Sequence, residues 1–450
     1  MRKLINLCLL LLSFATANAM PDGQSEYTKP TGFVYTPTPE NLASREEFQD
    51  MKLGIFIHYC VYSMLADGEW VQCNKKILPG EYAQLPAGFY PSRFNAEEWV
   101  KAFKEAGAGY MTITSRHHDG FSMFATKASE YNVVDATPFK RDIIGEIAAA
   151  CHANDLRLHF YYSHLDWHRP DYPMLPSNGY VTHDASTNDW QSYYAFMNKQ
   201  LTELLTNYGK IGAIWFDGVW DHKNFDWQLE QQYQLIHRLQ PQCMIGNNHH
   251  SFVVQGEDFQ LFEQDAPGEN SAGLSEGQQV SQLPLESCQT MNWTWGYSIT
   301  DKSYKSADEV IRRFVRCAGM NSNLLLNIGP RPDGKLPDEA MALLKALGAW
   351  NKQYGESVFR TRGGCIPEQS WGVTTQRGNE LFVHILSAEK EESLKAAEPS
   401  LLLPLNPKSV KKVETFAGAP LKTKKENGAV RVFLAERPEG VDYILKVTLK

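Results

Sequence analysis

The chain has 450 residues, 43% of them hydrophobic and 21% charged, with a formal net charge of −8. This is an ordinary globular composition, long enough for one large domain and a smaller one. No basic block is present to meet a nucleic acid or an anionic membrane, so a neutral substrate fits the balance best.

Met1-Arg2-Lys3, the apolar run Leu4 to Leu12 and the small residues Ala15 to Ala19 follow the order of a secretory signal peptide. Cleavage is expected after Ala19, with the mature protein exported to the periplasm or secreted. The run is shorter than the roughly 20 residues that span a bilayer, and no later stretch qualifies, so no membrane anchor is expected. Cys8 has no small residue before it, unlike a lipoprotein signal. Residues 20 to 45, with several Pro and Thr, read as an extended lead-in.

Seven short apolar runs follow and read as strands: Leu53 to His58, Gly109 to Ser115, Leu156 to Ser163, Ile211 to Asp217, Cys243 to Asn247, Ser287 to Met291 and Leu324 to Ile328. Helical patterns lie between them at Ala96 to Ala106, Asp142 to Asn154, Trp190 to Tyr208, Asp226 to Leu239, Ala307 to Ala318 and Asp338 to Tyr354. Strand and helix alternating over about 300 residues predicts an α/β fold, a (β/α)8-like TIM barrel. No glycine-rich phosphate loop follows the first strand, which weighs against a dinucleotide fold. Past Ser357 the segments Glu380 to Leu386, Ser400 to Leu405, Val410 to Phe416, Ala429 to Leu434 and Tyr443 to Leu449 predict a C-terminal antiparallel β-sandwich. The expected division is a signal peptide at 1–19, a catalytic barrel at 20–358 and the sandwich at 359–450. Cys60, Cys73, Cys151, Cys243, Cys288, Cys317 and Cys365 are scattered and suggest neither a zinc site nor a disulfide framework.

Catalytic groups of a barrel sit at the C-terminal ends of its strands. Here those ends read His58, then Arg116-His117-His118-Asp119-Gly120, then Tyr161-Tyr162-Ser163-His164, then Trp215-Phe216-Asp217-Gly218. Hydroxyl-binding groups mixed with aromatic planes suit a sugar. Asp217 ends the most apolar strand of the chain and Gly218 then turns the backbone away, which suits a nucleophile for an anomeric carbon; a cap on the next helix is the plainer role. His117 and His118 lack metal-binding spacing, and as neighbours on a strand they are expected to point to opposite sides. His159 and His164 read as buried histidines satisfied by backbone.

Residues 45 to 358 resemble glycoside hydrolase family 29, the α-L-fucosidases. The matching stretches are Lys52-Leu-Gly-Ile-Phe-Ile-His58, Gly68-Glu-Trp70, Arg116-His-His-Asp-Gly-Phe121, Lys140-Arg-Asp142, Trp215-Phe-Asp-Gly218, Trp295-Gly-Tyr297, Asn323-Leu-Leu-Leu-Asn-Ile-Gly-Pro330 and Asp333-Gly334. The resemblance implies a retaining exo-glycosidase that removes terminal α-L-fucosyl residues from glycans, with no metal or other cofactor. It implies Asp217 as nucleophile, with His58, Glu69, Trp70, His117, His118, Tyr161 and Trp215 holding the sugar. Glu263, in a polar loop Gln255 to Asn270 after strand five, is the first choice for acid/base, and Glu286, at the start of the strand Ser287 to Met291, is the second. Glu257, Asp258 and Glu269 come next. Two departures stand out: His249 replaces the Arg that commonly reaches the sugar, and Tyr59 and Cys60 replace the usual Trp and Gly. An exo-glycosidase for a related sugar such as an α-galactoside, and a sugar-binding protein without catalysis, are the alternatives; the presence of Asp217 and both candidate acids argues against the second.

Overall fold

The computed structural model describes residues 27–173, 180–275 and 278–450. The expected signal peptide, residues 1 to 19, lies outside them. Eight parallel strands form one curled sheet in the order β5-β4-β3-β2-β1-β8-β7-β6. They are β1 Leu53–Ile57, β2 Tyr110–Arg116, β3 Arg157–Ser163, β4 Ala213–Asp217, β5 Met244–Asn247, β6 Gln260–Glu263, β7 Leu285–Thr290 and β8 Ser322–Ile328. The expected TIM-like barrel is therefore present, with one strand more than the seven apolar runs. β6 is only four residues long and begins with Gln260, so the segment expected as a polar loop contains the eighth strand.

Helices cover the outside after β1, β2, β3, β4, β7 and β8, at Ala96–Glu105, Ile143–Ala153, Trp190–Asn207, Leu229–Leu239, Ala307–Gly319 and Asp338–Tyr354. After β5 and β6 the chain runs as loops among the described residues. The extended lead-in stops sooner than its composition suggested. Thr38 caps a helix at Pro39–Met51, its side chain accepting from the Asn41 amide, with Pro39 at the first helical position. Phe48 of that helix is fully buried and packs on Tyr110 and Phe259, plugging the bottom of the barrel. Large-to-small truncation at such a position costs about 3–5 kcal/mol.

Small residues inside the barrel make room for large ones. A Cβ on Gly54 would stand 2.3 Å from the ring of Tyr110, and one on Gly246 would stand 2.5 Å from that of Phe259. The interior layers hold Phe56, Tyr110, Tyr161, Trp215, Leu261 and Leu325.

β5 and β6 share no ladder. At the lower end of this seam Ile245 O accepts from the amides of Asp258 and Phe259, at 2.7 and 3.3 Å. The fully buried Asp258 carboxylate takes the Ile245 N–H at 2.8 Å, Arg45 at 2.6 Å, the Tyr35 hydroxyl at 2.8 Å and His237 at 2.9 Å. A carboxylate thus fills ladder positions that no strand occupies.

Two antiparallel sheets follow, β13-β16-β11-β10-β9 and β12-β15-β14, where β9 is Arg362–Gly363, β10 Gly372–Arg377, β11 Glu380–Ile385, β12 Ser400–Leu403, β13 Val410–Thr415, β14 Lys422–Glu426, β15 Ala429–Phe433 and β16 Tyr443–Leu449. They enclose their own core, including Trp371, Leu381, Leu403, Val432 and Leu445. β14, all charged residues except Thr423, carries no apolar alternation, which is why the sequence pattern passes it over.

Candidate active site

A cavity of about 350 Å³ opens at the C-terminal ends of the barrel strands, lined by the polar side chains of His58, His117, His118, Asp217, His250 and Glu263 among aromatic walls. Trp70, Tyr161 and Trp215, also expected at the site, line it as well.

Asp217 ends β4 and is only 8% exposed. Its Oδ2 accepts from Tyr161 Oη at 2.8 Å, and its Oδ1 from Gly218 N and Trp220 Nε1, each at 2.8 Å, and from Asn248 Nδ2 at 3.4 Å. Burial, reinforced by the charge of Glu263, pushes its pKa up to about 6 against these donors. Gly218 has φ +90°, and a Cβ there would stand 2.7 Å from Leu165. The turn that leaves Asp217 exposed to the cavity therefore requires glycine.

The histidines are neutral hydrogen-bonding groups. Burial lowers His58 and His118 to about 3 and His117 well below its usual value. The surrounding network fixes two tautomers. Asn327 donates its amide to Trp295 O at 2.7 Å, so its Oδ1 accepts from His58 Nδ1 at 2.7 Å. Ser163 donates to Leu165 O at 2.7 Å and so accepts from His118 Nδ1 at 2.7 Å. Each Nε2 is left as an acceptor for a hydroxyl proton.

The two histidines do not alternate as adjacent strand residues would. Both line the cavity, with ring centroids 4.1 Å apart. The register of β2 shifts between Thr114 and Arg116, where the strand ends, so the pleat no longer governs them. Arg116 itself is fully buried on Asp166, Ser163 O and Tyr193. His164 bonds Gln232 at 2.7 Å and its amide bonds Asp217 O at 2.7 Å, whereas both ring nitrogens of His159 lack a partner and its ring stacks on Tyr110. The expectation of rings satisfied by backbone fails for both: the His164 ring takes a side-chain partner at Nε2 and none at Nδ1, and the His159 ring takes none.

Glu263 ends β6 beside the cavity, and its pKa is raised by burial. Its Oε2 accepts from Asn248 Nδ2 at 2.7 Å and lies 3.4 Å from His250 Nε2. Because one amide reaches both Asp217 and Glu263, the two bonded oxygens lie within about 6 Å of each other, the two bonds laid end to end.

Three expected site residues stand elsewhere. Glu286 sits low in the barrel interior, fully buried, accepting from Tyr110 Oη at 2.5 Å and Trp215 Nε1 at 2.9 Å; burial pushes it up to about 7. It lies at the second position of β7, far from the strand end, and does not line the cavity. Glu69 is buried behind the wall, where its Oε2 takes the Gly296 amide at 2.7 Å. His249 turns away and bonds Glu257 at 3.0 Å, while His250, at φ +57°, takes the place facing the cavity. Tyr59 also points away, packing on Phe89 and Trp99. Among the reserve acids, Glu257 is held by His249 and Tyr233, Asp258 by the seam, and Glu269 by Arg316.

Phe56, Trp220, Asn248, His250, Leu274 and Trp295 line the cavity without having been singled out as site residues. Asn248 carries a usable signal, standing one residue past the end of β5. His250 carries none, because its placement depends on a left-handed backbone that histidine seldom adopts. Among the described residues no group of three or more His, Cys, Asp or Glu is disposed to hold a metal ion, and no helix is long and apolar enough to cross a membrane.

A sequence-family model described as alpha-L-fucosidase matches residues 24–356. Over 392 residues the chain is 28% identical to human tissue alpha-L-fucosidase, covering 79% of this chain and 77% of that one. The rat tissue enzyme is 27% identical over 377 residues, 76% of this chain and 75% of that one. Among solved structures, alpha-L-fucosidase isoenzyme 1 of Paenibacillus thiaminolyticus superposes with a TM-score of 0.78 at 30% identity, over 91% of this chain and 100% of that one. The same fold recurs in a GH29 alpha-L-fucosidase of Bacteroides thetaiotaomicron, with a TM-score of 0.78 at 24% identity over 95% and 98% of the two chains.

Proposed function

The chain belongs to the α-L-fucosidase family of glycoside hydrolases, and on that premise we propose that it removes terminal α-L-fucosyl residues with Asp217 as nucleophile and Glu263 as acid/base. The observation that carries the assignment is the single Asn248 amide bonded to both carboxylates. An approach of the two carboxylates to within about 6 Å at their bonded oxygens supports the short carboxyl spacing of double displacement with retention. Asp217 attacks C1 while Glu263 protonates the departing oxygen. Glu263 then takes a proton from the water that releases the sugar. A Bacteroides thetaiotaomicron relative has been trapped as a covalent intermediate with 2-fluoro-fucosyl fluoride in a glutamate-to-glutamine variant, which supports the same route here.

His58 and His118 accept from ring hydroxyls through Nε2, with His117 and Trp70 beside them. Phe56, Trp215 and Trp295 offer an apolar wall suited to the C5 methyl of fucose. A galactoside would bury a hydroxymethyl there without a partner. The division after residue 358 and export after Ala19 belong to the same proposal. The first is supported by the change from parallel to antiparallel strands between β8 and β9, and the second by the order of charged, apolar and small residues at the start. Mass spectrometry of the native protein checks the cleavage. Incubation with 2-fluoro-fucosyl fluoride followed by peptide mapping tests the nucleophile: the label is expected on Asp217, and a label elsewhere overturns the assignment.

A further inference from the structure

Trp293 is 78% exposed, the most of any large hydrophobic side chain among the described residues. It stands on the loop after β7, two residues before Trp295 of the cavity wall. The same loop exposes Ile299 at 59%, the loop after β5 exposes Phe252 at 54%, and the loop after β6 exposes Leu274, a cavity-lining residue, at 38%. Exposed apolar side chains thus gather on the loops of three successive strands, the middle one of which ends in Glu263. The loops after β1 and β3 also expose Leu78, Tyr90 and Val181, but none of these lines the cavity, whereas Leu274 does.

The loop bearing Trp293 is held rigid. Asp301 Oδ2 takes the Trp293 amide at 2.8 Å, the Thr294 amide at 3.1 Å and Asn292 Nδ2 at 2.9 Å. Gly68 N bonds Tyr297 O at 3.1 Å and Ile299 N bonds Ala66 O at 2.9 Å, stitching the loop to the one after β1. An indole left in water on a fixed backbone loses little freedom on binding and gains the area it covers.

We propose that Trp293, on the loop that also exposes Ile299, is an aglycone platform that stacks on the apolar face of the sugar to which fucose is attached. This rests on Glu263 being the acid, because the leaving group lies on the side of the group that protonates it. A pyranose ring presents a C–H face that packs on an indole plane, while its hydroxyls stay in water.

The test compares Trp293→Ala with the parent on α-L-fucosyl fluoride, whose leaving group is one atom, and on whichever fucosylated oligosaccharide the parent cleaves fastest. The expected result is a fall in kcat/KM on the order of tenfold for the oligosaccharide and less than twofold for the fluoride. Inhibition of the parent by the defucosylated oligosaccharide is expected to weaken in the variant. Equal losses on both substrates make Trp293 a brace of the loop and overturn the proposal, as does no loss on either. A parent inactive on both substrates instead overturns the proposed function and leaves the platform to be judged by binding of the defucosylated oligosaccharide alone.

Discussion

Trp215 donates its indole N–H to Glu286 at 2.9 Å, one layer beneath the cavity floor. Trp215 stacks on Tyr161, whose hydroxyl reaches Asp217, so two aromatic rings link Glu286 to Asp217. Glu286→Gln keeps the volume but offers one acceptor oxygen where Tyr110 and Trp215 engage two. The expected cost is about 1–3 kcal/mol of stability, read by denaturant unfolding, with a loss of kcat that is the same for fucosyl fluoride and an oligosaccharide. A defect confined to the oligosaccharide would instead make Glu286 the acid.

For Glu263→Ala the dependence on leaving group is expected to be steep. Protonation matters most when the departing alcohol is poor, so the loss in kcat/KM is on the order of 10² to 10⁴ on an oligosaccharide and small on fucosyl fluoride. Without its base the second step slows, so kcat on the fluoride falls and azide should restore it with formation of α-fucosyl azide. Parallel losses on the two substrates would remove Glu263 from the role.

Asp217→Gly should abolish turnover while leaving the thermal transition in place, since the side chain is not a packing element. Added azide is expected to yield β-fucosyl azide. Activity within tenfold of the parent contradicts the assignment.

The pH profile follows from the same pair. Asp217 must be ionised to attack, and burial together with the negative charge of Glu263 holds it up at about 6. Glu263→Gln removes that charge, so the pKa of Asp217 falls and the acid limb of kcat/KM on fucosyl fluoride moves to lower pH. An unmoved limb would show that the two carboxyls do not feel each other's charge.

His249 and His250 are expected to separate stability from activity. His249→Phe leaves the buried Glu257 without one partner and should lower stability by about 1–3 kcal/mol, with kcat/KM nearly intact. His250→Ala should do the reverse, lowering kcat/KM about tenfold. Thermal unfolding and steady-state kinetics on both variants decide it.

Much of this was legible in the residues, and the exceptions have physical causes. Continuous apolar runs reveal strands buried on both faces, and an acidic residue ending such a run, as Asp217 does, reveals a polar group at the barrel mouth. β6 was hidden because four residues beginning with Gln260 carry too little apolar signal, yet that strand positions Glu263. Glu286 misleads for the opposite reason. Its neighbours read as a strand, but position along the strand sets depth in the barrel, and the second residue from the lower end is too deep for the cavity. Of two adjacent histidines, the left-handed turn at His250 decides which one faces the cavity.

The seam between β5 and β6 runs between the two candidate catalytic carboxylates. β4 and β6 stand near opposite ends of the hydrogen-bonded strand order, so Asp217 and Glu263 are neighbours only because the sheet curls shut. Their spacing, which decides between retention and inversion, is therefore a property of the closure rather than of any ladder. Asp258 clasps that closure below and Asn248 clasps it above. Glu263 is carried by a strand paired with β7, whose following loop bears Trp293, whereas Asp217 is carried by a strand paired with β3 and β5. The two candidate carboxylates therefore belong to opposite flanks of one closed sheet. What ties those flanks together at the foot of the barrel is the carboxylate of Asp258, which lies outside the cavity.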